Sequence, residues 1–161
     1  MKKLAAVMVL GALLGSLAAG ADADKAVSRD EVQKAISVFQ EDPSSHQGSD
    51  AAETILAFAR SSDLVHISLS HSVVPWMKKA DAPDADTRTM LLAAYVAGNV
   101  TSQLKSGKAH DDVYAGWEQV LMTYTQLLAI NPAAKISEVE ELKNKEKEGK
   151  LEAYAGQVGE K

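Results

Sequence analysis

The stretch TRTMLLAAYVAGNVTSQLKS, residues 87–106, decides the fold. Met90 through Gly98 is apolar almost all round, and a helix of that character belongs at the centre of a molecule. Gly107 supplies the expected C-terminal stop. Ala94, Ala97 and Gly98 share one side of the helix, where their small size lets a neighbouring helix approach closely. That neighbour is VYAGWEQVLMTYTQLLA, residues 113–129, in which Tyr114, Trp117, Leu121, Tyr124 and Leu128 recur at alternating intervals of three and four residues. Such spacing is the seam of one helix packed on another. Asp111 and Asp112 stand where a helix N-terminus favours negative charge, and Asn131-Pro132 closes the helix. The two stretches read as a paired helical centre.

Working outward, Ser28 with Glu31 forms a capping-box pattern, and Val32, Ile36 and Phe39 follow at helical spacing, giving a helix over 29–41. The run Asp42-Pro43-Ser44-Ser45-His46-Gln47-Gly48-Ser49 has the composition of a surface loop. Ser49 or Asp50 then caps a helix over 50–60, with Ile55, Leu56, Phe58 and Ala59 as its apolar positions. Residues 64–70 alternate Val65, Ile67 and Leu69 with His66, Ser68 and Ser70, a half-buried extended pattern, although Val65, Leu69 and Ser72 would also align on a helix. An extended piece in a helical chain must find partners for its backbone groups. Pro75 interrupts any helix there. Beyond 132, Ser137 with Glu140 offers another capping box for a helix that Ile136, Val139 and Leu142 dock. Residues 143–161 are a charged C-terminal segment in which Gly149 breaks the helix before one more amphipathic turn or two.

Two short stretches resemble a tetratricopeptide repeat. Tyr124 to Asn131-Pro132 is similar to the end of such a repeat's second helix and its closing proline. Trp117-x2-Val120-Leu121-x2-Tyr124 is similar to the first-helix signature W-x2-L-G-x2-Y, with Leu121 where the signature has glycine. The first register makes 113–129 the second helix of the repeat, the other makes it the first, and no period of roughly 34 residues recurs. The resemblance implies a helical hairpin used to bind other proteins, and it carries over no functional residues.

The N-terminus carries a different kind of signal. Lys2 and Lys3, an apolar run from Leu4 to Leu14 and small residues ending at Ala19-Gly20-Ala21 match a Sec-type secretory signal peptide over 1–21, leaving a single helical domain over 22–161. A spanning helix needs roughly 20 apolar residues; the stretch 4–19 supplies 16, interrupted by Gly11, Gly15 and Ser16. With no cysteine in the chain, lipid attachment at the cleavage point is excluded. The expected destination is the periplasm or medium of a bacterium, with no stable membrane insertion after cleavage. The chain has 17 basic and 22 acidic residues, a formal −5; without Lys2 and Lys3 the balance is 15 against 22, or −7. A surface of that sign repels phosphate backbones and anionic headgroups, so nucleic acid is not an expected partner.

No constellation specifies a reaction. The histidines are His46, His66, His71 and His110. A helical zinc pair stands four residues apart on one face; His66 and His71 diverge by about 140° on a helix and point to opposite sides of a strand. His110-Asp111-Asp112 could gather a cation, but reads more simply as a loop histidine before capping acids. There is no G-x-S-x-G elbow, no S-x-x-K and no cysteine nucleophile. Gly15, Gly20, Gly48, Gly98 and Gly107 are scattered rather than gathered into a phosphate-cradling loop, so no cofactor is expected. Trp76, Tyr95, Trp117 and Tyr124 could line a groove for a peptide or could simply be core.

The sequence therefore points to a compact all-α bundle of about five helices with a short extended or irregular segment at 64–77. The favoured role is non-enzymatic: an exported helical protein of the cell envelope that binds another envelope protein or a peptide through a helical groove. The contrasting expectation is a small hydrolase or metal-dependent enzyme using His66, His71 or His110.

Overall fold

Ser28 opens the first helix as the sequence requires. Its hydroxyl accepts the Glu31 backbone N–H at 3.3 Å while the Glu31 carboxylate accepts the Ser28 N–H at 2.8 Å, satisfying donors that a helix start leaves over. The computed structural model describes residues 26–79 and 84–159. Among these there are six α-helices: α1 (Arg29–Glu41), α2 (His46–Ser61), α3 (Ala85–Ser106), α4 (Val113–Ile130), α5 (Ser137–Lys147) and α6 (Leu151–Gly159), with a 3₁₀ turn at Pro75–Lys79 and no strand. The leader expected at 1–21 lies outside the described residues.

α1 buries Val32, Ala35, Ile36 and Phe39, one stripe at helical spacing. α2 begins four residues earlier than expected, because Ser45 is its N-cap, accepting the Gly48 N–H at 2.9 Å. The loop shrinks to a turn around Asp42-Pro43, held by the Asp42 carboxylate accepting both the N–H and the hydroxyl of Ser44. Gly48 made this stretch look like a loop. Its actual use is close approach: a Cβ there would lie 2.2 Å from the Asp42 carbonyl oxygen.

The centre is α3 against α4. A Cβ on Gly98 would meet the Ala115 carbonyl oxygen at 2.2 Å, and one on Gly116 would meet the Tyr95 ring at 2.5 Å, so each helix offers a glycine to the other. Ala93, Ala94, Tyr95, Ala97 and Val100 of α3, with Trp117, Val120 and Tyr124 of α4, are all fully buried. α3 ends at Gly107 in the left-handed conformation, φ 68°, the expected stop. α4 starts at Asp112, whose carboxylate accepts the Ala115 N–H at 3.0 Å.

The C-terminal segment departs from expectation at the cap of its first helix. Ile136 rather than Ser137 precedes α5, and no side chain caps that helix; Tyr124 Oη instead accepts the Ile136 N–H at 2.9 Å while donating to Glu140 at 2.9 Å. The helix break expected at Gly149 is present, and the amphipathic turns expected beyond it form α6, a docked helix. Gly149, at φ 66°, turns the chain so that Leu151, Ala155 and Val158 of α6 are buried. Tyr154 stacks on Trp117, with centroids 5.3 Å apart and 26° between planes. With α6 the described residues hold six helices, in keeping with the expected bundle of about five.

Residues 64–77 are an unpaired strap across this core. Val65 to Ser70 runs without turn or bend. The Gln103 side chain accepts the His66 N–H and donates to the His66 carbonyl, both at 2.8 Å. One amide can bond both groups of one residue only if they point the same way, as they do in an extended chain, so Gln103 acts as a one-residue neighbouring strand. Further along, Trp117 Nε1 donates to the Val73 carbonyl at 2.7 Å and Arg88 donates to the Trp76 carbonyl. Side chains thus supply the partners that a sheet would have given. Gln103→Met keeps the volume and removes both strap bonds. A loss of about 1–3 kcal/mol is expected in urea unfolding, with faster amide exchange at His66.

Candidate functional site

The four aromatics that could have lined an open groove do not. Trp76, Tyr95, Trp117 and Tyr124 are each 0% exposed, since the α3–α4 seam closes over three of them and the strap drives Trp76 edge-on against Tyr95, centroids 6.4 Å apart. They hold the centre together rather than offering a surface.

Among the described residues two concavities stand out. One, of about 1100 Å³, lies where the strap, the end of α3, the start of α4 and α6 meet; His66, Ser68, Ser102, Lys108, His110 and Asp111 are among its lining. The structure therefore brings His66 and His110 to one place, beside the Asp111 carboxyl. His71 is exposed on the turn that follows the extended part of the strap and does not line the cleft, and exposed His46 sits 3.4 Å from Asp50 on α2.

Asp111 is the anchor of this cleft. Its carboxylate accepts from Tyr95 Oη at 3.3 Å and from the Ser68 backbone N–H, tying the strap to the start of α4. Burial pushes its pKa above the usual 3.8, against the opposing pull of the Ser68 N–H, the Tyr95 hydroxyl and the two nearby imidazoles. Burial and the Asp111 charge in turn raise the Tyr95 hydroxyl, keeping it a donor. Asp112 alongside accepts the Ser102 hydroxyl, and Asn99 Oδ1 accepts the Asp112 N–H at 2.7 Å. Among the described residues neither cleft histidine ring is hydrogen-bonded to a carboxylate or hydroxyl, and no group of three or more histidine or carboxylate side chains is placed to hold a metal ion.

The raised Asp111 pKa has a consequence for stability. The folded protein holds this proton to higher pH than the unfolded chain, so between 3.8 and the folded value the native state binds more protons and loses stability as pH rises. Asp111→Asn keeps an acceptor and removes the titration. Urea midpoints taken at stepped pH are expected to show the variant gaining on the wild type across that window and then holding a constant difference; a difference independent of pH contradicts the assignment.

The second concavity is a groove of about 660 Å³ between α1 and α2. Val27, Ala35, Val38 and Ala51 give it an apolar floor, and Glu31, Lys34 and Asp50 stand among its rim. It was legible as the outer side of two amphipathic helices, but sequence reasoning placed the expected surface on aromatics instead. Gln103 and Arg88 were also missed. Their signal was a polar side chain on a helix apolar all round, which when buried must have partners.

The fold defines the class: an all-α bundle with a glycine-tight central pair and a strap pinned by side chains. No family model, no curated protein and no solved structure matches the chain. Among the described residues no helix is long and apolar enough to cross a membrane.

Proposed function

We propose that this chain is a non-enzymatic helical protein of the bacterial cell envelope, exported to the periplasm or medium, that binds another envelope protein or a peptide. The observation that carries this reading is the α1–α2 groove, an apolar floor between charged walls, which has the shape and chemistry to take the apolar face of an amphipathic segment. Export is supported by the order of basic, apolar and small residues over 1–21. The acidic balance of the chain fits partners other than nucleic acid.

The catalytic alternative has less behind it. It would use His66 and His110 in the polar cleft, yet the adjoining carboxyls of Asp111 and Asp112 are already engaged, the first by Tyr95 and the strap, the second by Ser102, whereas a general base needs an orienting partner. A photo-activated cross-linker at Val38, in the protein as exported by its own cell, tests the groove. One discrete adduct at Val38 and none at exposed His71 is expected; an adduct at His71 alone, or none at Val38, overturns the reading.

A further inference from the structure

The strap has two edges, and only one is occupied. Gln103 takes both backbone groups of His66, and Asp111 takes the N–H of Ser68. In an extended chain, alternate residues direct their backbone groups to opposite sides, so those of Val65, Ile67 and Leu69 point away from α3. Among the described residues nothing pairs with them.

Natural proteins guard such an edge with lysine, proline, a bulge or an inward charge. Here there is no Asp, Glu, Lys, Arg or Pro from Leu64 to Val74. Along this edge Val65 is seated against the core at 8% exposed, while Leu64 and Leu69 are 49% and 51% exposed, two of the four large apolar side chains left open to solvent among the described residues.

We propose that the strap edge is a homodimer interface, in which two copies of this chain pair their straps antiparallel about a two-fold axis at Ile67. The sequence is self-complementary in that register. Val65 of one copy faces Leu69 of the other, Ile67 faces Ile67, and His66 faces Ser68, so apolar meets apolar and histidine meets serine. The residues directed outward are the ones that fall in hydrogen-bonded pairs, each exchanging both backbone bonds. A closed two-fold contact of this kind stops at two copies. The acidic chain repels its own copy over distance, but the contact falls in a stretch free of fixed charge. The edge shares no residue with the α1–α2 groove, so partner binding and dimerisation stand or fall separately.

The chain contains no cysteine, which gives a register-specific test on the protein purified in the form its own cell makes. Ile67→Cys places each thiol opposite its symmetry mate, at a Cα separation of about 5.5 Å, inside disulfide range. Leu69→Cys places the two thiols roughly 13 Å apart along the ladder at about 3.3 Å per residue. Mild oxidation is expected to link Ile67→Cys into a covalent dimer at least tenfold faster than Leu69→Cys. In sedimentation equilibrium the wild type is expected to dimerise, and Leu69→Pro, which removes an outward N–H the fold does not use, to raise the dissociation constant at least tenfold. Leu69→Lys, with the backbone intact and a charge on an exposed side chain, is expected to do the same if the proline variant fails to fold. Equal cross-linking at the two positions, a wild type that stays monomeric, or a strap that takes up an extended peptide from another protein while the chain remains single each overturns the proposal.

Discussion

Gly98→Ala is expected to destabilise the protein by about 3 kcal/mol, the upper part of the usual range for overpacking a core, even though the change improves helix propensity by up to about 1 kcal/mol. The two effects have opposite signs, so the measurement decides between them. A Cβ at this position lies 2.2 Å from the Ala115 carbonyl oxygen, and a backbone carbonyl inside a helix cannot rotate away as a side chain would. The helices have to separate, loosening the contact between the Tyr95 ring and Gly116 as well. Gly156, in α6, is the control: nothing lies within 4 Å of a Cβ there, and Gly156→Ala is expected to gain stability. If urea unfolding gives Gly98→Ala the same gain, α3 and α4 do not touch as described.

Arg88→Met is expected to cost about 3–5 kcal/mol, the range for breaking a buried ion pair by removing one partner. Arg88 is 5% exposed. Its guanidinium donates to Asp84 at 2.9 Å, lies 3.8 Å from Glu138 and donates to the Trp76 carbonyl, so one side chain joins the start of α3, the start of α5 and the 3₁₀ turn. Methionine fills a similar volume without a donor, and it leaves the buried Trp76 carbonyl without the hydrogen bond that Arg88 donates. Arg88→Lys is expected to fall between the two, since a single ammonium cannot reproduce a planar fork. Urea unfolding with tryptophan fluorescence reads both quantities, because Trp76 sits at the point that loosens. A loss below about 1 kcal/mol for the methionine variant, the scale of a surface pair, contradicts a buried junction.

Much of the helical frame was legible because it rests on local rules. Ser28 and Glu31 cap α1, Gly107 and Asn131 end α3 and α4 at the expected places, and the three-and-four spacing from Tyr114 to Leu128 marks a packed face. Misreadings came where a residue has two uses. Gly48 reads as loop but is a close-packing position in the first turn of α2, and Ser137 has a capping pattern that α5 does not use because the Glu140 N–H goes to the Ile136 carbonyl and the Glu140 carboxylate to Tyr124. The strap shows what a single sequence conceals. Its alternation gave the extended form, yet its partners, Gln103, Asp111, Trp117 and Arg88, are 12 to 44 residues away along the chain, too far for any local pattern. The site was less legible for the same reason. His66 and His110 meet at one cleft only because the strap crosses the end of α3, and the aromatics offered two readings until burial chose the core.

The central claim is that α3 and α4 meet at a glycine-to-backbone contact that makes them one rigid unit. The most direct measurement is a nuclear Overhauser spectrum of the labelled protein, read at the Gly98 α-protons. A Cβ built there would also lie 3.0 Å from the Gln119 Cβ, so the account predicts strong cross-peaks from Gly98 to Gln119 and Ala115. Cross-peaks from Gly98 to residues outside α4, with none to Ala115 or Gln119, would contradict it.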